Sequence, residues 1–395
     1  MRKTQWRPVL RMRQSVWVRT GSFILEEGAT VSTQSILTWV LTATTRLLPS
    51  QSKTLAVLVA AAIRCERPNL AQIGRKTAGP ITAKSAIKRA WRFTCNERIE
   101  VADGMAEVIA KLVRKRKKRI LISFDWTEFR DFHTLVAAAC IKGRSVPLVW
   151  ASYKEWKFLR SQNSLEEALL RLLPTLIPKS IRVVILADRG FGRAEWAAVC
   201  QDLSFDYVVR IKPNVTVTCT RYRGVLSHYP VKKGIAHVLR EVQYRKDARV
   251  THHVVIRWRF GLPKKRDEPW YLMTNVEGRA ERLCQLYGCR MQVEELFRDQ
   301  KNRRNGWALR NTRIQYADRF DRFLLILALA YLLLAGLGLQ ARLDFEPSAW
   351  CTNTRQSECS VFTIGKAMLE RCNYDPEELL RRVRYATEDA AARWG

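Results

Sequence analysis

The chain has 395 residues, two to three times the size of an ordinary domain, so a compact core with appended or inserted parts is expected. Its 47% hydrophobic content and 13 tryptophans exclude a purely disordered polymer. Lys and Arg total 69 against 37 acids, and a net charge of +32 repels itself unless a polyanion neutralises it, which makes nucleic acid the first partner to consider.

The excess is concentrated early, with 24 basic and 7 acidic residues up to position 119. Ten cysteines without any CxxC pair read as reduced, mostly buried thiols of a cytosolic protein, and zinc at Cys284 and Cys289 would lack partners. A basic N-terminus with no apolar run behind it argues against secretion.

In chain order, residues 1–117 read as a helical, DNA-binding N-terminal domain. Apolar runs at Ile36–Leu48 and Thr54–Ile63 precede NLAQIGRKTAGPITAKSAIKRAWRF, a short helix, a Gly-Pro turn and a basic helix. In the last of these Ala83, Ile87, Ala90 and Trp91 recur at helical spacing, with Lys84, Lys88, Arg89 and Arg92 largely on other faces. The pattern suits a helix-turn-helix unit as well as an amphipathic helix that merely packs. The first twenty residues show no interpretable pattern, and the basic block Arg114–Arg119 reads as a solvated linker or a backbone-contacting patch.

From there the periodicity changes. ILISFDW, TLVAAAC and VPLVWASY form three strands that hairpins would pair antiparallel. SLEEALLRLLPTLI is an amphipathic helix with a capping box at Ser164 and Glu167, IRVVILAD a fully apolar strand, and a helix from about Arg193 to Asp202 leads to the strand DYVVRIK. The order is βββαβαβ. Residues 213–275 alternate as a β-rich insertion, a helix runs from about Glu281 to Lys301, and 341–395 form a helical C-terminal region. The expected core therefore spans 118–212 and 276–340. Phe323–Leu339, 17 residues without a charge, is read as a buried core helix in preference to a single-pass anchor.

Two acids end apolar strands, Asp125 after ILISF and Asp188 after VVILA, where burial is costly without positive compensation. Adjacent carboxylates repel, and Mg²⁺, a hard cation satisfied by carboxylate, water and phosphate oxygens, is the usual remedy. On the third helix, Tyr287, Arg290, Glu294 and Lys301 fall within about 60° of one another. An aromatic, a guanidinium, a carboxylate and an ammonium on one face suit a phosphodiester backbone around a metal better than a core. Glu294 can be the third ligand, while Arg290 and Lys301 can grip phosphates. Neighbouring Glu295 would face about 100° away.

The spacing Tyr287, Arg290, Glu294, Lys301 resembles the Y-R-E-K signature of the DDE transposases of bacterial insertion sequences, in the insertion-sequence-four family that includes the transposon-five transposase. ISFDWTEF, LADRGF and the 106 residues between Asp188 and Glu294 are similar in order and kind. EPWYLMTN resembles the segment whose tryptophan receives a flipped base, matching Trp270. The resemblance spans roughly residues 70–340. It implies a ribonuclease-H-like α/β core with a β-rich insertion, and a catalytic, metal-binding triad of Asp125, Asp188 and Glu294 using two Mg²⁺ ions, with Mn²⁺ as a substitute. It further implies DNA contacts by Tyr287, Arg290, Lys301, Trp270 and Arg189, and cut-and-paste transposition through a DNA hairpin. The partners would be transposon ends and target DNA, bound by a homodimer in the bacterial cytoplasm near the nucleoid. A nuclease without strand transfer, a non-catalytic DNA-binding derivative and a membrane-anchored basic protein are the alternatives.

Overall fold

Two tight hairpins and two helical crossovers fix the order of the first five strands. The computed structural model describes residues 32–77, 81–113, 119–244, 251–261, 267–352 and 359–392. The first twenty residues and all of the basic block except Arg119 lie outside them.

Strands β1 (Arg119–Phe129), β2 (Phe132–Ile141) and β3 (Arg144–Lys154) pair antiparallel in sequence. Helix α6 (Glu155–Leu176) then carries the chain to β4 (Arg182–Ala187), parallel to β1, and α7 (Ala194–Asp202) to β5 (Asp206–Arg210), parallel to β4. The βββαβαβ order is as expected. Helix α6, however, begins nine residues before Ser164, its N-cap is Lys154, and no side chain caps it. No Gly or Pro interrupts the sequence between Glu155 and Ser164, so the apparent capping box lies inside the helix.

The insertion does not form a sheet of its own. Strands β6 (Thr216–Cys219), β7 (Tyr222–Val225), β8 (Ala236–Tyr244), β9 (Thr251–Arg257) and β10 (Trp270–Thr274) continue the same sheet, whose full order is β3-β2-β1-β4-β5-β10-β9-β8-β6-β7. The junction is antiparallel, with Leu272, Met273 and Thr274 opposite Arg210, Val209 and Val208.

The N-terminal helices α1 (Thr33–Ala43), α2 (Pro49–Ala62), α3 (Leu70–Lys76), α4 (Ala83–Cys95) and α5 (Val101–Leu112) share the main core rather than standing apart. Helices α3 and α4 pack directly on each other, and a Cβ at Gly74 would meet the Ile87 backbone at 2.6 Å, so the close crossing needs a glycine. On α4 the buried residues are Ala86, Ala90, Phe93 and Thr94, whereas Trp91 is half exposed and Ala83 exposed. The buried stripe is thus rotated from the expected one and leaves Trp91 beside the lysines.

Phe323–Leu339 lies within α10 (Ala317–Asp344), the one helix among the described residues long and apolar enough to cross a membrane; 94% of its most apolar window is buried within the protein. It packs on β3, α2, α11 (Val361–Met368) and α12 (Pro376–Ala392). A Cβ at Gly338 would stand 1.8 Å from the Val361 carbonyl oxygen, so absence of a side chain permits the α10–α11 contact. Burial pushes the Cys140 thiol up to about 12 and that of Cys284 to about 11.

Candidate active site

Strand geometry places the two strand-end acids. In the parallel β1–β4 ladder Phe124 faces Ala187, and one further step puts Asp125 beside Asp188. Side chains alternate along a strand, so Asp125 shares a face with Leu121 and Ser123, and Asp188 with Val184 and Leu186. Leu121, Val184 and Leu186 belong to one apolar cluster, which also holds Leu283, Leu286 and Tyr287, so both acids open onto the face covered by the third helix. Asp125 Oδ1 accepts from the Trp126 amide at 2.9 Å, and Asp188 Oδ1 from the Gly190 amide at 2.8 Å.

That third helix is two helices, α8 (Ala280–Gly288) and α9 (Met291–Lys301), broken at Cys289 and Arg290. The Arg290 amide bonds to the Tyr287 carbonyl at 2.9 Å and the Val293 amide to the Arg290 carbonyl at 3.1 Å, a local tightening to i−3 bonds. The single stripe inferred from an unbroken 3.6-residue period is therefore interrupted at Arg290. The break lets this residue, 8% exposed, lie between the carboxylates: Nη1 donates to Asp125 Oδ2 at 3.1 Å and Nη2 to Glu294 Oε1 at 2.6 Å. Its buried Nε has no hydrogen-bond partner among the described residues. Glu295 turns the other way, towards Arg144 (3.4 Å) and Arg298 (2.8 Å).

Burial pushes the Asp125 carboxyl up to about 7; Arg290 and the Trp126 amide oppose this, while the charges of Asp188 and Glu294 add to it. Asp125 is thus within electrostatic reach of both other acids. Among the described residues, however, no three His, Cys, Asp or Glu side chains stand close enough together to enclose a metal ion as they lie. In this arrangement the guanidinium of Arg290 supplies the positive charge between Asp125 and Glu294. The donor set fits a hard divalent cation, being carboxylate oxygen throughout.

The other candidates surround this group unequally. Tyr287 is buried, with the Arg290 guanidinium 5.9 Å from its ring and Trp270 edge-on at 5.2 Å. Trp270 is only partly exposed and shares the sheet face of Leu272, so it is neighbour to the carboxylates through Tyr287. Lys301 stands over Phe129 at 5.4 Å and Phe297 at 5.6 Å, and burial lowers its ammonium to about 8. Arg189 is engaged by Glu268 at 2.6 Å, an acid it shares with Arg210.

Sequence reading missed Glu166. This residue of α6 is fully buried, at 0% exposure, and accepts from Trp126 Nε1 at 2.8 Å, Gln162 Nε2 at 3.0 Å and Arg193 Nη2 at 2.6 Å. Trp126 follows Asp125, and Arg193 also donates to the Gly190 carbonyl at 3.2 Å in the turn after Asp188. From beneath the sheet, one carboxylate ties together the two segments that carry the strand-end acids. The available signal was its place three, four and seven residues before Leu169, Leu170 and Leu173, on the apolar stripe.

Residues 161–333 match the transposase DDE domain family. The matched segment is less than half of the chain; it runs from α6 into α10 and holds Asp188, Trp270, Tyr287, Arg290, Glu294 and Lys301, with Asp125 upstream of it. A DDE domain supports transposase activity, hence an enzyme that cuts and joins DNA, with a ribonuclease-H-like core; enzymes of this class typically use a divalent metal. No curated protein sequence matches the chain.

Proposed function

We propose that the chain is the cut-and-paste transposase of an insertion sequence, of the insertion-sequence-four kind and related to the transposon-five transposase. Asp125, Asp188 and Glu294 are its catalytic acids. The observation that carries this reading is the meeting of Asp125 and Glu294 on one buried guanidinium, with Asp188 one strand away on the same face. These three carboxylates would hold two Mg²⁺ ions, or Mn²⁺, which when bound make water a better nucleophile and neutralise the leaving oxygen.

Around them the protein's own groups do the positioning. Arg290 gives up the carboxylates for a phosphate of the strand being processed, Tyr287 holds its guanidinium from behind, and Lys301 adds a point charge. Water cleaves one strand at the transposon end and leaves a 3′ hydroxyl. That hydroxyl attacks the opposite strand, displacing its 3′ oxygen and closing a hairpin, and Trp270 receives the base that the tight hairpin expels. Reopening the hairpin and attack on target DNA complete transposition. Two copies acting on paired ends, in a bacterial cytoplasm near the nucleoid, complete the proposal, with Arg189 as a further backbone contact.

The test uses a duplex carrying the DNA that borders the reading frame, once intact and once pre-cut to expose the 3′ hydroxyl, with Mg²⁺ or Mn²⁺. Nicking, hairpin formation and joining are expected. Cleavage without joining would reduce the protein to a nuclease, and joining without a hairpin would remove that route.

A further inference from the structure

A cavity of about 580 Å³, within the range of small-ligand sites, opens between the α3–α4 pair and the segment Asn311–Arg319. Leu70, Ile87 and Trp91 form one wall, and Arg313, Tyr316 and Arg319 the other. Its rim presents two large aromatics to solvent, Trp91 at 51% and Tyr316 at 55% exposure. The Arg319 guanidinium lies between them, 5.5 Å from the Trp91 ring and 4.3 Å from the Tyr316 ring.

Both walls are basic. On α4, exposed Lys84 and Lys88 fall within about 60° of Trp91 around the helix. Across the groove, Arg310 and Arg313 are exposed. None of these four, nor Arg319, has an ion pair among the described residues. The nearest acid in sequence, Asp318, is engaged by Arg322 at 2.9 Å. Exposed rings, interleaved guanidinium groups and unpaired positive charge form the surface that single bases stack on and phosphates neutralise.

Packing also ties the groove to the strand that carries Asp125. Arg130, at the β1–β2 turn, donates from Nη1 to the Thr312 carbonyl at 3.0 Å, and Phe129 and Phe132 pack on Phe320 at 5.5 and 5.0 Å. Phe129 lies four residues along β1 from Asp125, about 14 Å away, or some four nucleotide steps. Lys301 stands over Phe129.

We propose that this groove holds the DNA leading away from the cleavage point, with a base lifted from its stack resting on Trp91 and Tyr316 and with Arg313 and Arg319 on the adjoining phosphates. The inference rests on the transposase reading and adds a second, distant grip on the same DNA. It also accounts for an aromatic residue standing on the solvent side of a basic helix beside an α3–α4 crossing.

The probe is the duplex bordering the reading frame, bearing 5-iodouracil at successive positions. Irradiation is expected to join one position, several nucleotides from the cut, to Trp91 or Tyr316. Trp91→Ala is expected to weaken binding about tenfold, the scale of one stacked base, and Trp91→Phe much less. Arg313→Ala and Arg319→Ala should each flatten the slope of log affinity against log salt by about one. Melting temperature of each variant separates these effects from misfolding. If the unmodified protein binds and nicks the duplex while all four variants keep its affinity and salt slope, and no cross-link maps to residues 81–95 or 311–319, the groove is not a DNA site. If the unmodified protein does not bind the duplex at all, the transposase reading falls and the groove with it.

Discussion

The α8–α9 segment was expected as one helix from a 3.6-residue stripe and α10 from an uncharged apolar run, yet only α10 is unbroken. Every side of α10 from Phe323 to Leu337 meets apolar neighbours, so nothing in that stretch pulls the backbone from ideal geometry. The α8–α9 segment has to satisfy two environments, an apolar one at Leu283, Leu286 and Tyr287 and a charged one at Arg290 and Glu294. It breaks where they meet. A uniform environment sustains a long helix, whereas a buried arginine that must reach two acids costs a turn of regular hydrogen bonding.

The largest effects should come from the charged side of that comparison. Asp125→Asn, Asp188→Asn and Glu294→Gln are each expected to lower nicking by roughly three orders of magnitude or more, with duplex binding in a gel-shift assay retained; residual cleavage near the unmodified rate would remove that residue from the site. On the apolar side, Gly338→Leu forces a side chain against the Val361 carbonyl and should cost about 3 kcal/mol in denaturant unfolding, with no direct effect on the carboxylates. An unchanged midpoint would mean that α10 and α11 can separate freely.

Removing the support beneath the acids should do less than removing the acids. Glu166→Ala is expected to slow nicking about 10- to 100-fold and to raise the Mn²⁺ concentration needed for half-maximal activity, whereas a variant that only loses stability would leave that concentration unchanged. Trp270→Ala should reduce hairpin formation by about tenfold, the scale of one stacked base, and first-strand nicking less. Equal loss of both would take base stacking away from it.

The smallest effect is a pH dependence in metal-free buffer. Burial raises both Asp125 and Asp321 from ordinary carboxylate values to about 7. The folded state therefore holds these protons more tightly than the unfolded chain. Their stabilising contribution is full below about pH 4 and is lost as pH rises through about 7. Asp321→Asn keeps an oxygen to accept the Ser152 amide, bonded at 3.1 Å, and should flatten that decline; a stability curve unchanged by the substitution would show Asp321 to be ionised without penalty.

Features governed by local periodicity were legible in advance. Apolar runs with an acid at their ends located Asp125 and Asp188, turn spacing gave the βββαβαβ order, and the uncharged stretch gave α10. Features set by tertiary partners were not. Glu166 sits on the apolar stripe of α6, but nothing local reveals that Trp126 and Arg193 meet it beneath the sheet. The break at Arg290 was hidden because Leu286, Tyr287 and Val293 keep nearly helical phase across it, and Gly288 was the sole local hint. Spacing put Trp91 on one apolar stripe with Ala83, Ile87 and Ala90, whereas Ala86, Ala90, Phe93 and Thr94 are the residues α4 buries, which leaves the indole outside.

The ladder joining β10 to β5 makes the whole sheet a ruler. Trp270 begins a strand bonded through Leu272 to Arg210, and β5 is bonded in turn to β4, whose last residue, Ala187, precedes Asp188. Whatever rests on that indole is measured off from the strand-end acids by rungs that cannot stretch. Because faces alternate with a period of two, the spacing can be reset only in jumps of about 7 Å. An insertion or deletion of one residue in β10 would turn the indole to the opposite surface, while a loop of altered length beyond β9 would leave the calibration intact.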